Sequence, residues 1–251
     1  MVIFIFMRKW VAVRPAARNI STTAWILFST KRINYMNYRI IDRDKYYRKG
    51  VYRHFTEDCK CSVSMTARIN VTELVKFSKE SDTKFYINFL YLLCKVLNSR
   101  DDYKMQYLWK SDELVCYDVI NPTQYVFHED TETCTPVYTT YSENYNEFYK
   151  NALSDIENAK TSREYLLDSE NHPNWFDASY ISMISYDSLN VELPDGYLYF
   201  LPIVNWGRYR EENGRLMMPL TVRLNHAVAD GFLVANIYRL LEKEITVFCG
   251  N

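Results

Sequence analysis

Between Leu216 and Leu241 the hydrophobic period changes once. That change restricts the chain to folds in which a buried strand hands over directly to a helix. Residues 216–224 are a run of apolar and β-favouring side chains. Phe232, Val234, Ala235, Ile237, Tyr238, Leu240 and Leu241 then recur at helical spacing. Between the two lie His226 and, four residues on, Asp230 followed by Gly231. The stretch therefore predicts strand, tight loop and helix. A histidine at a strand end is held stiffly, as a general base must be. An aspartate one turn away is an orienting group, an ion-pair partner or a helix cap. His-x-x-x-Asp alone is a weak pattern; its context is what singles it out.

A chain of 251 residues is long enough to bury the core of one sizeable domain. The formal net charge is −1, with both signs mixed along most of the chain. That argues against a nucleic-acid partner recruited by bulk charge. The six cysteines are Cys59, Cys61, Cys94, Cys116, Cys134 and Cys249. They form no paired Cys-x-x-Cys and have no histidine at zinc-ligand distance; Cys59-Lys60-Cys61 is too tight for an ordinary finger. Reduced thiols and a cytoplasmic location are expected.

Residues 1–35 differ from the rest. They hold Arg8, Lys9, Arg14, Arg18, Lys31 and Arg32 and no acidic residue. Their apolar runs, 2–7 and 24–28, are too short to span a bilayer. Two readings stand: a transit-like segment, or translated upstream sequence ahead of a start at Met36. The expected organisation is a basic extension over 1–35 and one domain over 36–251.

From Met36 onward strands and helices alternate. Strands are expected at 61–69, 180–185, 197–204 and 216–224, with a further strand ending at 125–128. A hairpin is expected from 107–109 to 114–117, and Asn213-Gly214 marks a turn between the last two strands. Helices are expected after Asn70, which is placed to cap one, and at 85–97 and 143–159; 164–174 reads as loop. The sum is an α/β fold: a two-layer sandwich with a large mixed β-sheet covered by helices.

At His226 the chain resembles the chloramphenicol acetyltransferases. Asn225-His226-Ala227-Val228-Ala229-Asp230-Gly231-Phe232 is similar to the family's His-His-Ala-Val-x-Asp-Gly-Phe. Phe127-His128-Glu129-Asp130-Thr131-Glu132-Thr133 matches its Phe-His-x-x-Thr-Glu-Thr block. Asp112-Glu113-Leu114-Val115 with Asp118, Tyr46-Tyr47-Arg48-Lys49, and Met218-Pro219-Leu220 match three more blocks. The likeness runs in one register from about Asn37 to Leu241.

The resemblance implies a homotrimer with its active sites between subunits, acetyl-CoA as donor, a small hydroxylated acceptor and no metal. His226 matches the base. Ser185 matches the serine that donates to the oxyanion, and Ser188 is the alternative because the register there is loose. Asp230 matches a structural residue paired with an arginine, supplied by Arg48. His54, Phe55, Cys59, Cys61 and Phe127 match acceptor-pocket walls, and Asn205 a threonine that organises the oxyanion region. Arg208 and Tyr209 match the cation and ring that meet the CoA nucleotide. Asn225 and Leu233 replace two histidines of the motif, and Cys134 replaces a phenylalanine, which marks a divergent member. Two other readings stay open. One is a CoA-dependent acyltransferase with another acceptor, as in the lipoamide acyltransferases, whose upstream lipoyl domain and Pro/Ala-rich linker are not legible here. The other is a non-catalytic trimeric binding protein on the same scaffold.

Overall fold

The structure, a computed structural model, describes residues 38–163, 171–194 and 196–250. The expected extension over 1–35, and most of the loop over 164–174, lie outside the described residues. The chain enters through the short strand β1 (Tyr38–Ile40) and the helical turn α1 (Lys49–Arg53), which runs into a π-helical turn, His54–Asp58. There follow β2 (Ser62–Asn70), α2 (Thr72–Glu80) and α3 (Phe85–Asn98). Next come β3 (Met105–Leu108), β4 (Glu113–Tyr117), β5 (Asn121–His128), β6 (Thr133–Tyr138) and α4 (Tyr145–Lys160). The last part is β7 (Trp175–Ile181), β8 (Ile203–Gly207), β9 (Arg210–Glu212), β10 (Arg215–Asn225) and α5 (Gly231–Gly250).

Seven strands form one mixed sheet in the order β2-β10-β8-β7-β5-β6, with β9 paired to β10. β5, β7 and β8 run parallel, while β10 is antiparallel to β8 and β2. Strands β1, β4 and β3 make a separate antiparallel sheet. Side chains alternate across the large sheet. Val204, Trp206, Leu220 and Val222 point to the helices and are fully buried, each burial contributing about 1.5–3 kcal/mol. Trp206 packs on Phe89 of α3 at 5.1 Å between ring centres. Tyr238 of α5 donates to the carbonyls of Met65 and Leu220. α3 forms because Phe89, Leu92, Leu93 and Val96 recur on one face, and all four are buried. Among the described residues no helix is long and apolar enough to cross a membrane.

Local signals locate most elements, with two strand corrections. The strand expected at 180–185 is Trp175–Ile181 instead. Residues after it turn back, and the Ile184 carbonyl accepts the Arg208 N–H at 2.8 Å. That approach requires Gly207, because a Cβ there would lie 2.9 Å from the same carbonyl oxygen. The strand expected at 197–204 begins only at Ile203. Pro202 has no N–H for a ladder, although its carbonyl accepts from Asp177 at 3.1 Å. Tyr197 is spent on stacking with Trp109 and Tyr199. The Asn213-Gly214 turn is real, with φ of 52° and 76°, as a two-residue hairpin demands. It joins β9 to β10, however, because the three-residue β9 is too short to read from pattern. The N-cap of α2 is Val71 rather than the expected Asn70 and makes no side-chain cap; Asn70, one residue earlier, meets the first helical residue instead, its Oδ1 accepting the Thr72 N–H at 3.1 Å and the Thr72 hydroxyl at 2.6 Å.

Candidate active site

β10 delivers His226 one residue past its end. The His226 N–H donates to the Cys61 carbonyl at 3.0 Å, so β2 still grips the backbone there. Asn225 shapes the turn that follows. Its Oδ1 accepts from Ala227 N–H at 2.9 Å, and its carbonyl accepts from Val228 and Ala229 at 3.2 and 3.1 Å. An asparagine at this position therefore organises the loop directly. Ala227 and Val228 are fully buried in a cluster with Tyr52, Phe200 and Leu114, against which Phe55 packs. The His226 ring stacks on Phe55 with centres 3.8 Å apart and planes 11° apart. Its Nδ1 is buried and has no hydrogen-bond partner among the described residues. The other three histidines are engaged elsewhere: His54 with Asp58, His128 with Thr135 and His172 against Tyr138.

Asp230 does two things at once. Its Oδ2 accepts from Arg48 Nη2 at 2.8 Å. Its Oδ1 accepts the Leu233 N–H at 3.0 Å, capping α5. Ion pair and helix cap were alternatives on the sequence; the two carboxylate oxygens serve one each. Burial pushes the Asp230 carboxyl up, but the Arg48 and Leu233 hydrogen bonds outweigh it, and the net shift is downward. His54 opens the π-helical turn, Cys59 follows its end and Cys61 immediately precedes β2. Burial, and then the neighbouring Cys59, push the Cys61 thiol up. A thiol shifted upward is a poorer nucleophile near neutral pH.

The remaining candidates sit elsewhere. Asn205 is in the middle of β8, and Arg208 and Tyr209 follow its end, with Tyr209 edge-on to Phe85 at 5.4 Å. Phe127 is near the end of β5 and 48% exposed. Ser185 lies beyond β7 with its hydroxyl buried and unpartnered among the described residues, whereas Ser188 is exposed. Because β10 runs against β5, β7 and β8, its C-terminal end lies at the opposite edge of the sheet from theirs. Thr221, the register partner of Asn205, is five residues before His226. At ~3.4 Å per residue the base and the Asn205 level are roughly 15–20 Å apart within one chain.

The register also brings forward a residue that sequence reading missed. Ser179 on β7 pairs with Asn205 on β8, which pairs with Thr221 on β10, which pairs with Thr66 on β2. These four face the side of the sheet away from the helices, and the Thr66 and Thr221 hydroxyls are 2.8 Å apart. Tyr186 closes over the row, donating to the Asn205 carbonyl at 2.8 Å. Serines recur at 179, 182, 185 and 188, so spacing could not tell which one faces Asn205. A cavity of about 680 Å³ opens beside this row, lined by Thr66, Arg68, Tyr186, Asp187, Arg210 and Glu212. Its two arginines are ion-paired to Asp187 and Glu212.

Known proteins resemble the chain over this whole unit. The family model described as chloramphenicol acetyltransferase matches residues 36–242. Chloramphenicol acetyltransferase 3 of Escherichia coli is 32% identical over 208 residues, which is 83% of this chain and 97% of that protein. A solved structure of a chloramphenicol acetyltransferase superposes with a TM-score of 0.77 at 18% identity, covering 83% of this chain and all of that one. The same fold is seen more distantly in Azotobacter vinelandii dihydrolipoamide acetyltransferase, with a TM-score of 0.59, 13% identity and coverage of 79% and 86%.

Proposed function

The chain belongs to the chloramphenicol acetyltransferase family and is an acyltransferase, and from that premise we propose that it moves acetyl from acetyl-CoA to a hydroxyl of chloramphenicol or a related acceptor. The two substrates meet in a ternary complex, which removes much of the entropic barrier. His226 takes the hydroxyl proton as the oxygen attacks the thioester carbonyl carbon. The carbonyl oxygen becomes an oxyanion and needs a donor. Collapse of the intermediate breaks the carbon–sulfur bond, and the proton held by His226 goes to the departing thiolate. The products are the acetyl ester and CoA.

The observation that carries this reading is the His226 unit: a ring stacked on Phe55, gripped by β2, on a loop tied down through Arg48–Asp230. Such preorganisation suits a base and has little purpose on an inert scaffold. Ser185 is one candidate for the oxyanion donor. The pairing of Ser179 with Asn205 favours a second: Ser179 is on a strand, where a donor is held rigidly, and beside the residue matched to the oxyanion region. Either serine lies too far from His226 to act with it on one carbonyl within a single chain. That separation supports a closed trimer, in which base and donor at each site come from different copies. Arg208 and Tyr209 are the proposed contacts of the CoA nucleotide, with Phe55, His54, Cys59, Cys61 and Phe127 around the acceptor, and a cytoplasmic location fits this chemistry. The test is thiol release from acetyl-CoA with chloramphenicol and then a panel of other alcohols. No release above a His226→Ala control with any of them would leave the non-catalytic binding protein as the better reading.

A further inference from the structure

Four buried polar atoms on the helix-free face of the large sheet lack a hydrogen-bond partner among the described residues. They are Arg223 Nη1, Asn205 Nδ2, the Tyr199 hydroxyl and Thr123 Oγ1. The register puts Arg223, Asn205 and Thr123 on neighbouring rows of that face, and Tyr199, which precedes β8, packs near Trp175 of β7 at 6.1 Å between ring centres. Thr123 pairs with Asp177, Asp177 with Ile203 and Ile203 with Arg223. Asn205 is two residues along β8 from Ile203, so it is a diagonal neighbour of Arg223, about 7–8 Å away at the backbone. Arg223 is only 8% exposed. A buried guanidinium is ordinarily paired, because stripping its water without compensation is costly.

The carboxylate on the same row of the sheet does not pair with it. Asp177 stands two strand spacings from Arg223, about 10 Å, and no ion pair joins them among the described residues. Burial raises the Asp177 carboxyl to about 6, and its side chain bonds with Tyr125. Asp177 is still mostly ionised near neutral pH, so an anion held here must gain more from the donors than it loses by repulsion from that carboxylate. Tyr199 is close enough to both to feel their charges and stays a neutral donor, held well above its ordinary range by burial. An arginine Nη1, an amide nitrogen and a hydroxyl that lie on one face and each lack an acceptor among the described residues make a donor set for oxygen that carries negative charge.

We propose that Arg223, Asn205 and Tyr199 form a subsite for a carboxylate on the acceptor, so that the preferred substrate is a hydroxylated organic acid. This rests on the acetyl-transfer reading for the word acceptor. The subsite lies on the same face as Ser179, one register step from where that reading puts the oxyanion.

The probes are a matched pair, 3-(hydroxymethyl)benzoate and 3-(hydroxymethyl)benzamide, assayed by CoA release and by calorimetric binding. The wild-type chain should prefer the carboxylate by about ten- to a hundredfold in kcat/KM, the range for a hydrogen bond to a charged group. Arg223→Gln should bring that ratio close to one. Binding separates the two levels of argument. If no alcohol is acetylated but the benzoate still binds and Arg223→Gln abolishes that binding, the transfer reading fails and the anion subsite stands. If the wild type turns over both probes equally, or Arg223→Gln keeps the preference, the subsite is wrong. If neither probe binds nor reacts, it is wrong as well. If Arg223→Gln instead changes the oligomeric mass and leaves the ratio intact, Arg223 pairs with another copy of the chain, and the proposal is overturned.

Discussion

Asp230 joins two stabilising contacts in one side chain, and its variants can separate them. Asp230→Asn keeps an oxygen for the Leu233 N–H, and asparagine caps helices about as well as aspartate. It loses the charge that faces Arg48. The Arg48 side chain is 13% exposed and that of Asp230 is 37% exposed, so the pair is neither fully buried nor freely solvated. Discounted for that exposure, the lost charge destabilises by about 1 kcal/mol. Asp230→Ala also loses the cap, about 1 kcal/mol more. In a domain of this size each kcal/mol lowers Tm by about 2–4 °C, so melts should fall by roughly 3 °C for Asn and 6 °C for Ala. Arg48→Ala combined with Asp230→Asn should fall short of the sum by at least 0.5 kcal/mol, since one interaction is lost only once. The pH dependence follows from the downward shift of the Asp230 carboxyl. A group depressed in the folded state stabilises above its unfolded value, about 3.9, and that share is lost as pH falls through the folded value. Wild type and Asp230→Asn should therefore converge in stability at acid pH. The assay is thermal melting across pH with CoA release run in parallel. Equal melts for Asn and Ala, or strict additivity with Arg48→Ala, would refute the dual role.

Three further outcomes are expected. His226→Ala should fold, with Tm lowered by about 2–4 °C through loss of the stack on Phe55, and lose about 10²–10⁴-fold in turnover; near-wild-type CoA release by the folded variant would remove histidine from the mechanism. Among Ser179→Ala, Ser185→Ala and Ser188→Ala, the oxyanion donor is the one whose kcat drops about 10²-fold or more with little change in KM, and Ser179→Ala is expected to be that variant; a loss confined to Ser185→Ala would show that strand register misled the assignment. A chain beginning at Met36 should keep the melting temperature and activity of the full one, and loss of soluble protein on that truncation would make residues 1–35 part of the fold.

Some of this architecture was local and therefore legible. The change of period after Leu224 specified β10, the loop and α5, because burial on alternating faces and on a helical stripe leave different spacings in the chain itself. The same holds for α3, and for Asn213-Gly214, whose positive φ values few other pairs adopt. The His226 loop was legible for a related reason: its residues are neighbours in sequence, and so is the Asp230 cap. The pairing of Asp230 with Arg48 was suggested by family likeness, since nothing within either segment points to a partner 182 residues away. What only the tertiary structure decided are relations between distant strands. Four serines at a spacing of three are equivalent on paper, and it is the parallel register of β7 with β8 that sets Ser179 beside Asn205. The stacking of Phe55 on His226 depends on a π-helical turn that carries no pattern of its own. The isolation of Arg223 is likewise invisible in one dimension: a sequence records that an arginine is present, and only packing shows that no acceptor among the described residues reaches its Nη1. Side-chain periodicity is written residue by residue, whereas strand register is fixed by the fit of whole faces against each other.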